Sequence, residues 1–93
     1  MSEMSKTVAE MLLRTESIAV YKDKPFVFVS GRISPVYIDC RKLLSFPTER
    51  EYIVAALAKM AETDSGAANI DVVAGGETAG MPYASFVSHI IKK

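Results

Sequence analysis

The chain has one cysteine, one histidine and no tryptophan, and its eleven basic and eleven acidic residues cancel to a formal net charge of zero. Each shortage excludes something. A lone thiol, Cys40, cannot close an internal disulfide, and between Asp39 and Arg41 it fits a reducing, cytoplasmic setting better than a secreted one. With no second thiol or histidine near it in sequence, it offers neither metal-ligand spacing nor a nucleophile dyad, and a small packing role is expected for it. Balanced charge leaves no basic stripe to collect a phosphate backbone, so nucleic acid is not an expected partner. No apolar run approaches the roughly 20 residues that cross a bilayer, and the first six residues are polar, so neither a membrane span nor a signal peptide is expected.

What is present suits one small globular domain: 49% of the 93 residues are hydrophobic. Residues 5–17 set Val8, Met11, Leu12 and Thr15 on one helical face, with Ser5 or Thr7 as N-cap and Glu10 able to complete a capping box with Thr7. Residues 18–21, a charged turn at Lys22-Asp23-Lys24-Pro25, and the run 26–29 ending in Ser30-Gly31 read as strand, turn, strand. After Ser34-Pro35, residues 36–39 predict a third short strand, with Leu43 and Leu44 anchoring its exit. Thr48 and Glu51 have capping-box spacing ahead of Ile53, Ala56, Leu57 and Met60 at helical period, and Gly66 suits the helix end. Residues 70–74 then predict a hydrophobic strand, 75–80 a glycine-rich connection, and 81–93 a helix bearing Tyr83, Val87, Ile90 and Ile91, with His89 on its polar side and a surface role expected for it. Strand, loop and helix make the first half of a βαβ unit whose second strand does not arrive before Lys93, so the sequence reads as incomplete.

Two segments concentrate chemistry. Between a hydrophobic strand and a helix start, Gly75-Gly76-Glu77-Thr78-Ala79-Gly80 allows close backbone approach and presents amides to a phosphate or carboxylate. Its spacing excludes the common nucleotide fingerprints, because Glu77 stands where the second dinucleotide glycine belongs and Met81-Pro82 replaces the Lys-Ser/Thr of a P-loop. The same residues also suit a plain tight turn of an α/β fold. The second segment, residues 30–41, gathers hydroxyls, guanidinium groups, Tyr37 and Asp39 on a turn-rich stretch able to meet a small planar anion. Composition by itself favours a hairpin whose Arg32, Asp39 and Arg41 are ordinary solvated charges.

Order and wording of the two segments add what composition does not. Ser-Gly-Arg-x-Ser-Pro-x-Tyr-Ile-Asp-x-Arg with Leu-Leu-Ser-Phe-Pro after it, and then Asp71-Val-Val-Ala-Gly-Gly-Glu-Thr-Ala-Gly-Met-Pro, resemble the N-terminal signature and first phosphate loop of the orotate phosphoribosyltransferases. The resemblance runs over essentially the whole chain and covers the front part of that family. It implies the α/β fold of type I phosphoribosyltransferases, a parallel sheet core with a small hood. On that reading residues 1–93 form a single partial domain, with the leading helix and hood at about 1–47 and the core elements at about 48–93. The implied reaction joins orotate to 5-phosphoribosyl 1-diphosphate, giving orotidine 5′-monophosphate and diphosphate, in a homodimer working with Mg²⁺. Matched by motif, Tyr37 and Ile38 fall on the pair that contacts orotate, an aromatic face and an aliphatic wall, and Thr78, Ala79 and Gly80 fall in the loop that approaches the donor diphosphate.

Two positions depart from the pattern: Val29 stands where many members have lysine, and Ala79 where some have another. The basic catalytic loop, the acidic phosphoribosyl-binding motif and any Mg²⁺ ligands are expected beyond Lys93, so catalysis by these residues alone is not expected. A non-catalytic pyrimidine- or phosphate-binding module is the alternative reading, and a strand-pairing structural fragment a third.

Overall fold

The computed structural model describes residues 2–93 and divides them into two compact units, one ending at Phe46 and the other spanning Pro47–Lys93.

The first unit opens with α1, Glu3–Arg14. Ser2 caps it, accepting from the Ser5 amide at 3.1 Å, so the helix begins one turn before the Ser5 or Thr7 caps read from the sequence. Glu3 and Met4 continue the helical pattern backwards, and Glu3 places a carboxylate at the positive end of the helix dipole. Thr7 lies inside the helix, its hydroxyl donating to the Glu3 carbonyl at 2.9 Å. At the other end Glu16 takes a left-handed φ of 57°, the Glu16 amide bonds to Leu13 O, and the Ser17 amide bonds to Leu12 O. This is a Schellman closure with glutamate where glycine is usual. The buried hydroxyls of Thr15 and Ser17, 2.7 Å apart, and the Lys42 Nζ bond to the Glu16 carbonyl at 3.0 Å tie that closure down.

Four short strands follow: β1 (Ile18–Val20), β2 (Phe26–Val27), β3 (Ile33–Ser34) and β4 (Val36–Ile38). They pair as nested antiparallel ribbons, β1 with β4 in the register Ala19 opposite Tyr37, and β2 with β3 in the register Val27 opposite Ile33. The run expected to be strand through Val29 stops at Val27 because Val29-Ser30-Gly31 forms the hairpin loop. Gly31, at φ 90°, returns its amide to Phe28 O at 2.9 Å, and the Phe28 amide reaches Arg32 O at 2.8 Å. Past β4 the chain winds into a 3₁₀ helix, Cys40–Ser45, that buries Leu43. Cys40 opens this turn exposed to solvent, not as the packing residue expected of it.

The second unit is a helical pair. Pro47 begins α2 (Pro47–Ser65), a position where its missing amide is no loss, so Thr48 falls inside the first turn. Gly66 ends the helix at φ 78° as expected, its amide bonded to Glu62 O at 2.9 Å, and Asn69 Nδ2 donates to Ser65 O at 2.8 Å. Helix α3 (Gly80–Ile91) packs on α2 through Val87 and Ile91 against Val54 and Ala58, with Ile70, Val73 and Tyr83 at the margin. The buried side of α2 is therefore turned from the stripe read in the sequence: Leu57 and Met60 are exposed, and Ala58 is the residue at the contact. Small residues let two helices approach closely, and hydrophobicity alone does not show which face does so.

Residues 70–74 correct a further expectation. No strand forms there, and among the described residues both sheets are antiparallel. A parallel strand needs a neighbour to complete its ladder. Without one, Val73 packs on the helical pair while Val72 is 76% exposed.

Candidate functional site

In the first unit the alternating run Phe26-Val27-Phe28 places both phenylalanine rings on one side of the hairpin. Tyr37 joins them, 4.5 Å from the Phe26 ring centre and 6.2 Å from that of Phe28, and the Tyr21 ring lies 5.6 Å from that of Phe26. Phe26 and Phe28 were not among the site residues read from the sequence; their period-two spacing was the available signal.

Tyr37 and Ile38 are consecutive on β4, so their side chains leave opposite faces, Tyr37 toward the aromatic group and Ile38 outward. They do not form an aromatic face and an aliphatic wall around one ring. The backbone supplies a different pairing. Bonds from Asp39 N to Ser17 O and from Tyr21 N to Pro35 O fix the hydrogen-bonded pairs of the β1–β4 ladder, and Ala19–Tyr37 falls midway between them. Val36 and Ile38 consequently turn their N–H and C=O groups away from β1. Both groups of Val36 are taken by the Ser34 hydroxyl, which accepts from the amide at 3.1 Å and donates to the carbonyl at 2.8 Å. Ile38 keeps an outward donor and acceptor beside the Tyr37 ring.

Asp39, just past the strand, caps the 3₁₀ helix. Its Oδ1 accepts from the Arg41 amide and from Arg41 Nε, both at 3.1 Å. The side-chain hydrogen bond from Arg41 holds the Asp39 carboxyl below its usual value, against the smaller opposing effect of desolvation. In return the Asp39 hydrogen bond, then its charge, and then Tyr37 raise the Arg41 guanidinium above its usual value. Val29, where the resemblance would place a lysine, sits fully exposed at the hairpin tip.

The second unit carries Thr78, Ala79 and Gly80. The Gly75–Gly80 loop closes on itself, with the Gly80 amide bonded to Gly76 O at 2.9 Å and the Met81 amide to Thr78 O at 3.2 Å. The Glu77–Thr78 peptide is cis. Gly75 is required by contact: a Cβ there would strike the Gly80 carbonyl oxygen and stand 2.6 Å from its carbon and 2.8 Å from Ala84 Cβ. Since Gly80 and Met81 use their amides internally and Pro82 has none, the exposed amides of Thr78 and Ala79 are the donors at the mouth of α3. His89 lies exposed on α3, as its spacing suggested.

An aromatic shelf with one open backbone edge, and separately a glycine loop with free amides at a helix start, are the two built features of this α/β segment. Comparisons with known proteins find relatives of one kind. The chain is 45% identical over 85 residues to the orotate phosphoribosyltransferase of Rhizobium rhizogenes, and 42% identical over 86 residues to that of Cereibacter sphaeroides. These alignments cover 91% and 92% of this chain and 37% of each relative, so the chain spans little more than a third of the proteins it matches. No family model matches it. Among solved structures, orotate phosphoribosyltransferase from Aeropyrum pernix superposes with a TM-score of 0.76 at 29% identity, over 92% of this chain and 48% of that one. UMP synthase from Leishmania donovani does so with a TM-score of 0.68 at 27% identity, over 92% and 18%. The chain is thus related to the orotate phosphoribosyltransferases in sequence and in fold, and the resemblance drawn from its two motifs is borne out.

Proposed function

We propose that these residues form the substrate-binding front of an orotate phosphoribosyltransferase, which transfers phosphoribosyl from 5-phosphoribosyl 1-diphosphate to orotate in pyrimidine synthesis. The first unit takes the pyrimidine and the second approaches the diphosphate. The observation that carries the reading is the outward amide and carbonyl of Ile38 beside the Tyr37 ring. A pyrimidine dione presents a ring N–H next to a carbonyl oxygen, the complement of one backbone donor–acceptor couple, and a flat face suited to an aromatic neighbour. Thr78 and Ala79 offer amides to diphosphate oxygens without a side-chain cation.

The roles assigned are binding roles. The cytoplasmic homodimer and the Mg²⁺ requirement belong to the proposal through the resemblance. Among the described residues no three His, Cys, Asp or Glu side chains converge, so this stretch offers no metal cluster and no step is assigned to the ion. The test is a titration of the ¹⁵N-labelled chain followed by amide shifts. Orotate should move the Ile38 amide and lose that effect in Tyr37→Ala, while inorganic diphosphate should move Thr78 and Ala79. An Ile38 amide that stays in place at millimolar orotate would refute the pyrimidine assignment.

A further inference from the structure

Ser34 stands where the two ribbons of the first unit join. It ends β3 opposite Phe26, and opposite residues of an antiparallel pair share a face, so its side chain leaves on the side of the Phe26 ring. Past Pro35, Val36 begins β4, and among the described residues no ladder joins the β2–β3 ribbon to the β1–β4 ribbon. The Ser34 hydroxyl spans that junction, accepting from the Val36 amide at 3.1 Å and donating to the Val36 carbonyl at 2.8 Å. Two bonds of opposite sense from one atom are what a hydroxyl can supply. The groups it holds belong to the peptide planes before and after Val36, and the second plane carries the nitrogen of Tyr37. Fixing both planes sets the direction in which Tyr37 leaves the chain. Pro35, between the two residues, is held in turn through its carbonyl by the Tyr21 amide. The Tyr37 ring then meets the Phe26 ring with centres 4.5 Å apart and planes 36° apart.

We propose that Ser34 is a positioning residue for Tyr37 and Ile38: its hydroxyl ties β4 to the residue opposite Phe26, so that the Tyr37 ring stands against Phe26, with the open backbone groups of Ile38 beside it, before a planar ligand arrives. Groups ordered beforehand do not lose that freedom on binding. The ligand half of this proposal rests on the reading of Tyr37 and Ile38 as pyrimidine contacts; the ordering half does not.

The experiment uses the whole 93-residue chain. By NMR it reads amide exchange and the ring contacts between Phe26 and Tyr37 without ligand, and then the shift of the Ile38 amide with orotate. Ser34→Thr keeps the hydroxyl and Ser34→Val has the same shape without it, so the pair separates the bond from the bulk; Ser34→Ala removes the hydroxyl without adding any. Alanine and valine should speed exchange of the Val36 amide, weaken the ring contacts and lower orotate affinity about three- to tenfold, as the loss of one or two hydrogen bonds would. Threonine should keep all three near wild type. The Tyr21 and Asp39 amides, bonded across the β1–β4 ladder to Pro35 O and Ser17 O, should stay protected throughout. Ring contacts unchanged in Ser34→Ala, or threonine and valine variants that behave alike, would overturn the positioning role. Loss of protection at Tyr21 and Asp39 in Ser34→Ala would overturn it too, since Ser34 would then hold the ribbon as a whole. Orotate leaving the wild-type chain unperturbed, while valine loosens the ring contacts and threonine does not, upholds the positioning role and overturns the pyrimidine reading instead.

Discussion

Replacing Gly75 by alanine tests whether the phosphate-loop geometry is held by contact. The added methyl carbon would stand 2.6 Å from the Gly80 carbonyl carbon and 2.8 Å from Ala84 Cβ, where carbon atoms ordinarily sit about 3.5–4.0 Å apart. Relief therefore needs a shift of about 1 Å, and the obstacle is backbone. Gly80 is also the residue whose amide closes the loop on Gly76 O, so moving its carbonyl strains that bond and the first turn of α3. Overpacking of this kind costs about 1–3 kcal/mol, and an obstacle that cannot rotate away puts the cost in the upper half. In a chain of this length a loss of about 2–3 kcal/mol lowers the melting midpoint by roughly 10–20 °C. Circular dichroism melts with amide exchange at Gly80 measure both consequences. Gly76→Ala is the internal control: nothing lies within 4 Å of its Cβ position, and the backbone there is not left-handed, so its melting curve should move little. A Gly75→Ala chain that melts within about 2 °C of wild type, with Gly80 exchange unchanged, would refute the contact argument.

Adjacent positions on α2 should respond oppositely to their hydrophobicity. Ala58→Leu, at a contact 3% exposed, should cost about 1–3 kcal/mol in urea denaturation, whereas Leu57→Ala, 39% exposed, should cost clearly less. For pH, the Asp39 carboxyl is depressed in the folded chain, so its contribution is complete above the ordinary carboxylate value near about 3.9 and is lost as pH falls toward the lower folded value. An acid titration should show the Cys40–Ser45 turn loosening in that range, and Asp39→Asn should abolish this part of the acid response.

Much of the architecture was readable where a local rule decides the outcome. Gly66 closes α2 because only a left-handed residue fits there, and the Ser30-Gly31 turn folds β2 back on β3 for the same reason. The strand at 70–74 failed because strand formation depends on a partner, a property no window of sequence contains. The α2 stripe misled because periodicity shows that a helix has an apolar side but not which of two such sides meets its neighbour; Val54 and Ala58 won over Ile53, Leu57 and Met60 by fit to α3. The site divides in the same manner. The strand at 36–39 was legible, and with it the opposed side chains of Tyr37 and Ile38, yet the outward backbone of Ile38 follows from the register against β1, which depends on residues twenty positions away. Composition leaves Asp39 and Arg41 as either solvated charges or part of a recognition surface, and their mutual grip needs the turn geometry of residues 39–41.

The Ser34 hydroxyl, by occupying both outward groups of Val36, leaves β4 with a single vacant rung. Another strand recruits an edge by binding alternate rungs in succession, and here the succession ends after one. The edge is therefore a poor template for self-association, although Val36 and Ile38 are exposed beside it. One rung is the width of one small planar group, so the device that discourages a second chain also limits what the open rung can pair with.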